Sequence, residues 1–144
     1  MTTFVVDASV AAKWVLPSSN EPLATEATEL FVRFSEGKVQ LAVPDLFWPE
    51  MANVLWKAVQ RGRLTHGDAV GHLAWLRGQD LPSLPTKPLM SAAFAIAAAY
   101  GRSAYDAFYV ALAISTGCNL ITADERLANA LGARFPVRWL GSIH

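Results

Sequence analysis

The sequence predicts an α/β sandwich of three layers, helices on both faces of a short, mainly parallel central sheet. Three observations predict it. Short apolar runs alternate with helical patterns along the chain. Those runs lack the in-out alternation of half-exposed strands, so both faces of their sheet are covered. Two of them, Phe4-Val5-Val6 and Leu120-Ile121-Thr122-Ala123, run directly into an aspartate, Asp7 and Asp124.

The elements follow in order. Phe4 to Val6 is the first buried strand, and Ser9 to Leu16 a short helix stopped near Pro17. Asn20-Glu21-Pro22 reads as the next helix start, with a capping residue, an acid and a proline where its missing N–H costs nothing. Leu23, Ala27, Leu30, Phe31 and Phe34 share one face of that helix, and Gly37 ends it. Leu41-Ala42-Val43 is a second strand, closed by Pro44. A helix follows from Asp45 or Pro49 to Gln60, with Leu46, Val54, Leu55 and Ala58 inward. Thr65-His66-Gly67-Asp68 resembles a capping box and opens a helix to Arg77. The prolines of Leu81-Pro82-Ser83-Leu84-Pro85 make it an edge strand or a loop. Pro88 begins an alanine-rich helix ended by Gly101. Another runs from Ala104 to Thr116, capped by Gly117. Asn119 to Ala123 is the third clear strand. Glu125 to Leu131 is a short helix with Gly132 at its end, and Val137 to Leu140 a last strand.

Composition sets the limits. The 144 residues carry 12 Lys+Arg against 12 Asp+Glu, are 53% apolar and contain one cysteine. Disorder requires low hydrophobicity and high net charge, and a disulfide scaffold several cysteines. A strongly basic nucleic-acid coat is excluded by charge balance, though a local basic patch is not. A chain of this length buries roughly 68% of its unfolded surface, so a single domain over residues 1–144 needs no staple. The longest uncharged run, Ala107 to Ala123, is broken by Ser115, Thr116, Gly117 and Asn119, and reads as helix, turn and strand. The first residues lack a cationic start. No membrane span and a cytoplasmic location are expected.

Ligands in open parallel sheets sit outside the carboxyl ends of the strands. Asp7 and Asp124 end strands there. Glu50 and Asp106 lie near helix starts in apolar surroundings, Phe47-Trp48-Pro49-Glu50-Met51-Ala52 and Ala104-Tyr105-Asp106-Ala107-Phe108. Buried acids need partners. Either each finds its own cation or helix cap, or the four converge and share one. Asp106 and Asp124 suit caps and Glu50 suits a helix dipole; Asp7 has the weakest such explanation. Crowded carboxylates repel unless a cation neutralises them. Hard ions such as Mg²⁺ and Mn²⁺ take oxygen ligands, and such a site suits phosphodiester hydrolysis. Thr122 and Ser9, two residues from Asp124 and Asp7, carry hydroxyls able to orient a carboxylate or a water.

Val5-Val6-Asp7-Ala8-Ser9-Val10, Glu50-Met51-Ala52-Asn53-Val54-Leu55, Tyr105-Asp106-Ala107-Phe108-Tyr109-Val110-Ala111-Leu112-Ala113 and Leu120-Ile121-Thr122-Ala123-Asp124-Glu125-Arg126-Leu127 together resemble the PIN-domain nucleases, and within them the VapC-type toxins of bacterial toxin–antitoxin pairs. The likeness covers essentially the whole chain, in length and in motif order. It implies a PIN-like fold and a metal-dependent endoribonuclease using Mg²⁺, with Mn²⁺ as the alternative. It implies an RNA substrate that is single-stranded or looped, a homodimer, and a small antitoxin whose tail enters the active-site groove. By motif position, Asp7, Glu50, Asp106 and Asp124 become the metal-binding acids and Thr122 the hydroxyl of the Thr-x-Asp element. The further acid that some relatives carry after the last aspartate has no clear counterpart, since Glu125 is adjacent and position 129 is Asn.

Other residues are secondary. His66, His72 and His144 share no ligand spacing, and Cys118 reads as a small core residue. Trp14 and Trp48, each near a proposed acid, are the tryptophans placed to stack RNA bases. Lys13, Lys57, Arg61, Arg63 and Arg102 are candidates for a basic rim. Two other functions remain open. One is a catalytically silent module gripping RNA or a partner, marked by RNA binding without metal binding. The other is a phosphatase or dehalogenase with Asp7 as nucleophile, although Asp7-Ala8-Ser9 lacks a second aspartate two residues on.

Overall fold

The computed structural model describes residues 1–143; His144 lies outside them. Five parallel strands form one sheet: β1 (Thr2–Val6), β2 (Val39–Pro44), β3 (Ser83–Leu84), β4 (Asn119–Thr122) and β5 (Val137–Trp139), in the order β3-β2-β1-β4-β5. The helices are α1 (Ala8–Val15), α2 (Ala24–Ser35), α3 (Phe47–Gln60), α4 (His66–Arg77), α5 (Met90–Tyr100), α6 (Ala104–Thr116) and α7 (Glu125–Leu131).

The chain builds outward from β1 to β2 and β3, then crosses back to β4 and continues to β5. The order therefore reverses between β1 and β4, the kind of switch point at whose carboxyl ends ligands bind in open α/β sheets. Right-handed crossovers put helices of opposite travel on opposite faces. Helix α1 packs on α2 and α3, and α3 on α4, while α5 packs on α6 and α6 lies across β1, β2 and β4. With both faces covered, Val5, Val6, Leu41, Val43, Leu120 and Ile121 are almost wholly buried.

Capping explains the well-defined helices. Ser103 accepts the Asp106 N–H through Oγ at 3.1 Å and starts α6, and left-handed Gly117 ends it. Thr65 does the same for α4 through the Asp68 N–H. Pro82 and Pro85 flank β3, which is a two-residue edge strand.

Several boundaries differ from expectation. Helix α2 begins at Ala24, after a left-handed Leu23, and not at Asn20-Glu21-Pro22. Glu21 is instead drawn into ion pairs with Lys13 of α1 and Arg63, at 3.2 and 2.9 Å. Leu23, Phe31 and Phe34 are half-buried, leaving Ala27 and Leu30 as that helix's buried residues. Helix α5 starts at Met90 because Lys87–Leu89 forms a separate turn of 3₁₀ helix. Strand β4 stops at Thr122, and the next backbone donor but one, the Asp124 N–H, goes to the Thr122 hydroxyl and not to a neighbouring strand.

Candidate metal and RNA site

Asp7 leaves the end of β1 with its N–H still bonded to the Ile121 carbonyl of β4 at 3.0 Å. That bond fixes its side chain beside the end of β4. Oδ2 accepts the Ser9 hydroxyl at 2.6 Å and the Thr122 hydroxyl at 2.9 Å. Each hydroxyl is itself oriented: Ser9 Oγ accepts the Ala123 N–H, and Thr122 Oγ1 accepts the Asp124 N–H, both at 3.0 Å. Two backbone donors thus act through two hydroxyls on one carboxylate oxygen. Asp7 and Thr122 are buried polar residues, 7% and 0% exposed.

Glu50 comes from the first turn of α3 and Asp106 from the first turn of α6. Burial, opposed by the Ser9 and Thr122 hydroxyls, raises the Asp7 carboxyl above its ordinary range, and the Asp106 charge adds to this. Burial also raises Glu50, with the Asp7 and Asp106 charges behind it, to about 7. The three carboxylates therefore share one electrostatic environment. Tyr109, buried in α6, lies against Glu50 and Asp7, and burial and both charges push its phenol upward. Oε1 of Glu50 and the Tyr109 hydroxyl are buried, yet neither completes a hydrogen bond of good geometry.

Asp124 caps α7, Oδ1 accepting the Leu127 N–H at 3.2 Å. Its Oδ2 lies 3.4 Å from Nη2 of Arg102, and so does Oδ2 of Asp106. The four acids thus divide. Asp106 and Asp124 share a guanidinium, while Asp7 and Glu50 have no basic partner among the described residues.

The donor set is all oxygen, which suits a hard divalent ion. A buried, unpartnered Oε1 and two carboxylates held above their ordinary range are what such an ion would relieve. As the side chains stand, no three of His, Cys, Asp or Glu gather closely enough to hold an ion among the described residues. The residues fit the ion by chemistry, and binding requires the acids to draw in.

The other candidates are spread out. Lys13 is 9% exposed and tied to Glu21. The Trp14 indole N–H donates to the Ala27 carbonyl at 2.9 Å, and its ring packs on Phe31, between α1 and α2. The Trp48 indole donates to Ser83 of β3 at 2.9 Å, with its ring edge-on to Phe47. Lys57 and Arg61 are exposed near the end of α3, beside Arg63. A cavity of about 440 Å³ opens beside Glu50, lined by Leu46, Pro49, Asn53 and Tyr105. Sequence reasoning placed Arg102 on a rim and missed its bridging of two acids. Its i,i+4 spacing to Asp106 was the available signal; Asp124, 22 residues on, gave none.

The family model described as PIN domain matches residues 4–131. Ribonuclease VapC3 of Pyrobaculum aerophilum is 35% identical over 131 residues, 90% of this chain and 95% of that protein. Ribonuclease VapC9 of Mycobacterium tuberculosis is 38% identical over 98 residues, 68% and 76% of the two chains. Among solved structures, PAE2754 from P. aerophilum superposes with a TM-score of 0.71 at 24% identity, over 98% of this chain and 91% of that one. VapBC2 from Rickettsia felis, bound to a promoter DNA fragment, superposes with a TM-score of 0.67 at 8% identity, over 96% and 98%. Both structural likenesses speak to fold.

Proposed function

The chain belongs to the PIN-domain family, among the VapC-type ribonucleases, and on that premise we propose that it is the toxin of a toxin–antitoxin pair, an endoribonuclease that hydrolyses RNA phosphodiesters with Mg²⁺ or Mn²⁺. The observation that carries the reading is the pairing of Asp7 and Glu50. Buried Asp7 and half-buried Glu50 feel each other's charge without a basic partner among the described residues, and both are raised in pKa. A fold keeps such a destabilising arrangement where a ligand relieves it.

Asp7, Glu50, Asp106 and Asp124 would hold the ion. Such an ion supplies an acidified water and neutralises charge on the phosphate. The chain's own work is positional. Ser9 and Thr122 fix Oδ2 of Asp7, and the Asp124 N–H fixes Thr122, so the first and last acids move as a unit. Glu50, raised to about 7 in the ion-free protein, would give up its proton as the ion binds. Lys57 and Arg61 supply a basic stretch for backbone phosphates.

An antitoxin and a second copy of the chain complete the reading. Trp56, Val70, Leu73 and Trp75 stand exposed on α3 and α4, and Met90 and Phe94 on α5. Apolar surface of this kind is what a partner chain covers. No helix among the described residues is long and apolar enough to cross a membrane.

The ion pairing of Asp106 and Asp124 with Arg102 favours one second reading, a silent RNA-binding module whose acids are neutralised internally. One experiment separates the two. Labelled single-stranded RNA is incubated with the protein in Mg²⁺, in Mn²⁺ and in EDTA, with Asp7→Asn alongside. Cleavage that needs the ion and is nearly abolished in Asp7→Asn supports the nuclease. Wild-type rates in Asp7→Asn overturn it, and RNA binding without ion binding or cleavage favours the silent module.

A further inference from the structure

Arg102 sits between two fixed points. Gly101, at φ 66°, ends α5 in the left-handed conformation, and Ser103 caps α6. The backbone of Arg102 is therefore held while its side chain reaches over the acids. Nη2 stands 3.4 Å from both Asp106 and Asp124, long for a charge-assisted bond, which runs about 2.7–2.9 Å. Nε is buried and has no hydrogen-bond partner. The guanidinium balances two carboxylates without committing to either. Its side chain is 22% exposed and that of Asp124 42%, so the group is open to solvent. Arginine's planar fork matches carboxylate and phosphate alike.

We propose that Arg102 is a two-position cation: it neutralises Asp106 and Asp124 while no divalent ion is present, and turns to a phosphate oxygen of bound RNA when an ion takes those carboxylates. The inference rests on the metal-nuclease reading. An ion and the guanidinium compete for the same two acids, so Arg102 weakens ion binding in the free protein. The guanidinium released by that competition binds the substrate. Specificity for loaded enzyme follows, because the phosphate-binding group is withheld until the ion is in place.

The test is calorimetric titration of the metal-free full chain with Mn²⁺, comparing wild type, Arg102→Gln and Arg102→Lys, followed by KM and kcat on single-stranded RNA. Arg102→Gln should bind Mn²⁺ about tenfold more tightly, an ordinary coupling between sites. Its KM for RNA should rise about tenfold while kcat changes less. Arg102→Lys, which keeps a charge but loses the fork, should bind Mn²⁺ nearly as weakly as wild type and keep the raised KM. A residue that merely supports the fold would lose ion and RNA binding together. Unchanged or weaker Mn²⁺ binding by a folded Arg102→Gln, in a protein that cleaves RNA, overturns the proposal and leaves the nuclease reading standing. If Arg102→Gln does not fold, a wild-type KM in Arg102→Lys overturns it. Absence of Mn²⁺ binding by every form, wild type included, overturns both.

Discussion

Thr122 donates its hydroxyl to Oδ2 of Asp7 across 2.9 Å, joining residues 115 apart in sequence at the ends of adjacent parallel strands. The Thr122 hydroxyl oxygen in turn accepts the Asp124 N–H. Thr122→Val keeps the shape and removes both bonds. It leaves a buried carboxylate with one hydroxyl donor and strands a backbone N–H, at roughly 1–3 kcal/mol. Removing an outer partner of a metal ligand typically costs 10–100-fold in affinity or activity. Cleavage by Thr122→Val should fall within that range, and Thr122→Ser should recover most of it. A wild-type rate in Thr122→Val would remove the hydroxyl from the mechanism.

Glu50 gives a prediction for the ion-free protein. Its carboxyl titrates near 4.5 in the unfolded chain and near 7 in the folded one. Below pH 4.5 both states are protonated and Glu50 exacts no penalty. As pH rises from 4.5 to about 7, the unfolded chain ionises first and stability is lost. Glu50→Gln should therefore melt at a higher temperature than wild type at pH 7.5 in EDTA, with the gap closing towards pH 4.5. Saturating Mn²⁺ should raise the wild-type melting temperature more than the variant's. Thermal scans at several pH values, with and without the ion, check both.

The alternation of apolar runs and helices makes the sheet legible in the sequence, and the acids at 7 and 124 mark the carboxyl ends of β1 and β4. Helix α6 is legible from its closing Gly117, and the Ser103 cap at its start is a local signal of the same kind. Helix α2 was misread at its start because the forces there are tertiary: Lys13 and Arg63 compete for Glu21 from other elements. The division of the four acids was hidden for the same reason. The i,i+4 spacing of Arg102 and Asp106 is local, but the reach of Arg102 to Asp124 depends on tertiary placement, and no local pattern encodes that distance. Trp14 and Lys13, near Asp7 in sequence, turn away from it because α1 buries one face against α2.

Glu21 yields the opposite pH dependence. Burial raises its carboxyl, but the hydrogen bonds and charges of Arg63 and Lys13 outweigh that and hold it below 4.5. Its contribution to stability is present above pH 4.5 and disappears as pH falls through the lowered folded value. Glu21→Gln should cost roughly 1–3 kcal/mol near neutrality, since two cations lose their partner. It should also flatten the acid limb of stability measured by urea unfolding from pH 3 to 7. An unchanged acid limb would mean that the three-way contact carries no net energy.

Along α3, Glu50, Lys57 and Arg61 are spaced at i, i+7 and i+11, which at 3.6 residues per turn places them on one face. A proposed metal-binding acid thus heads a stripe that ends in two exposed cations. RNA whose scissile phosphate lies at Glu50 would run its backbone along that stripe. Each phosphate contact contributes close to one unit of slope to the dependence of log affinity on log salt, about 0.7 for a single strand. Lys57→Ala with Arg61→Ala should therefore weaken RNA binding, reduce the salt slope by about 1.4, and raise KM while leaving kcat near wild type. Filter binding of labelled RNA at 50 to 300 mM salt measures the slope. A double variant with an unaltered slope would send the RNA across another face of the protein.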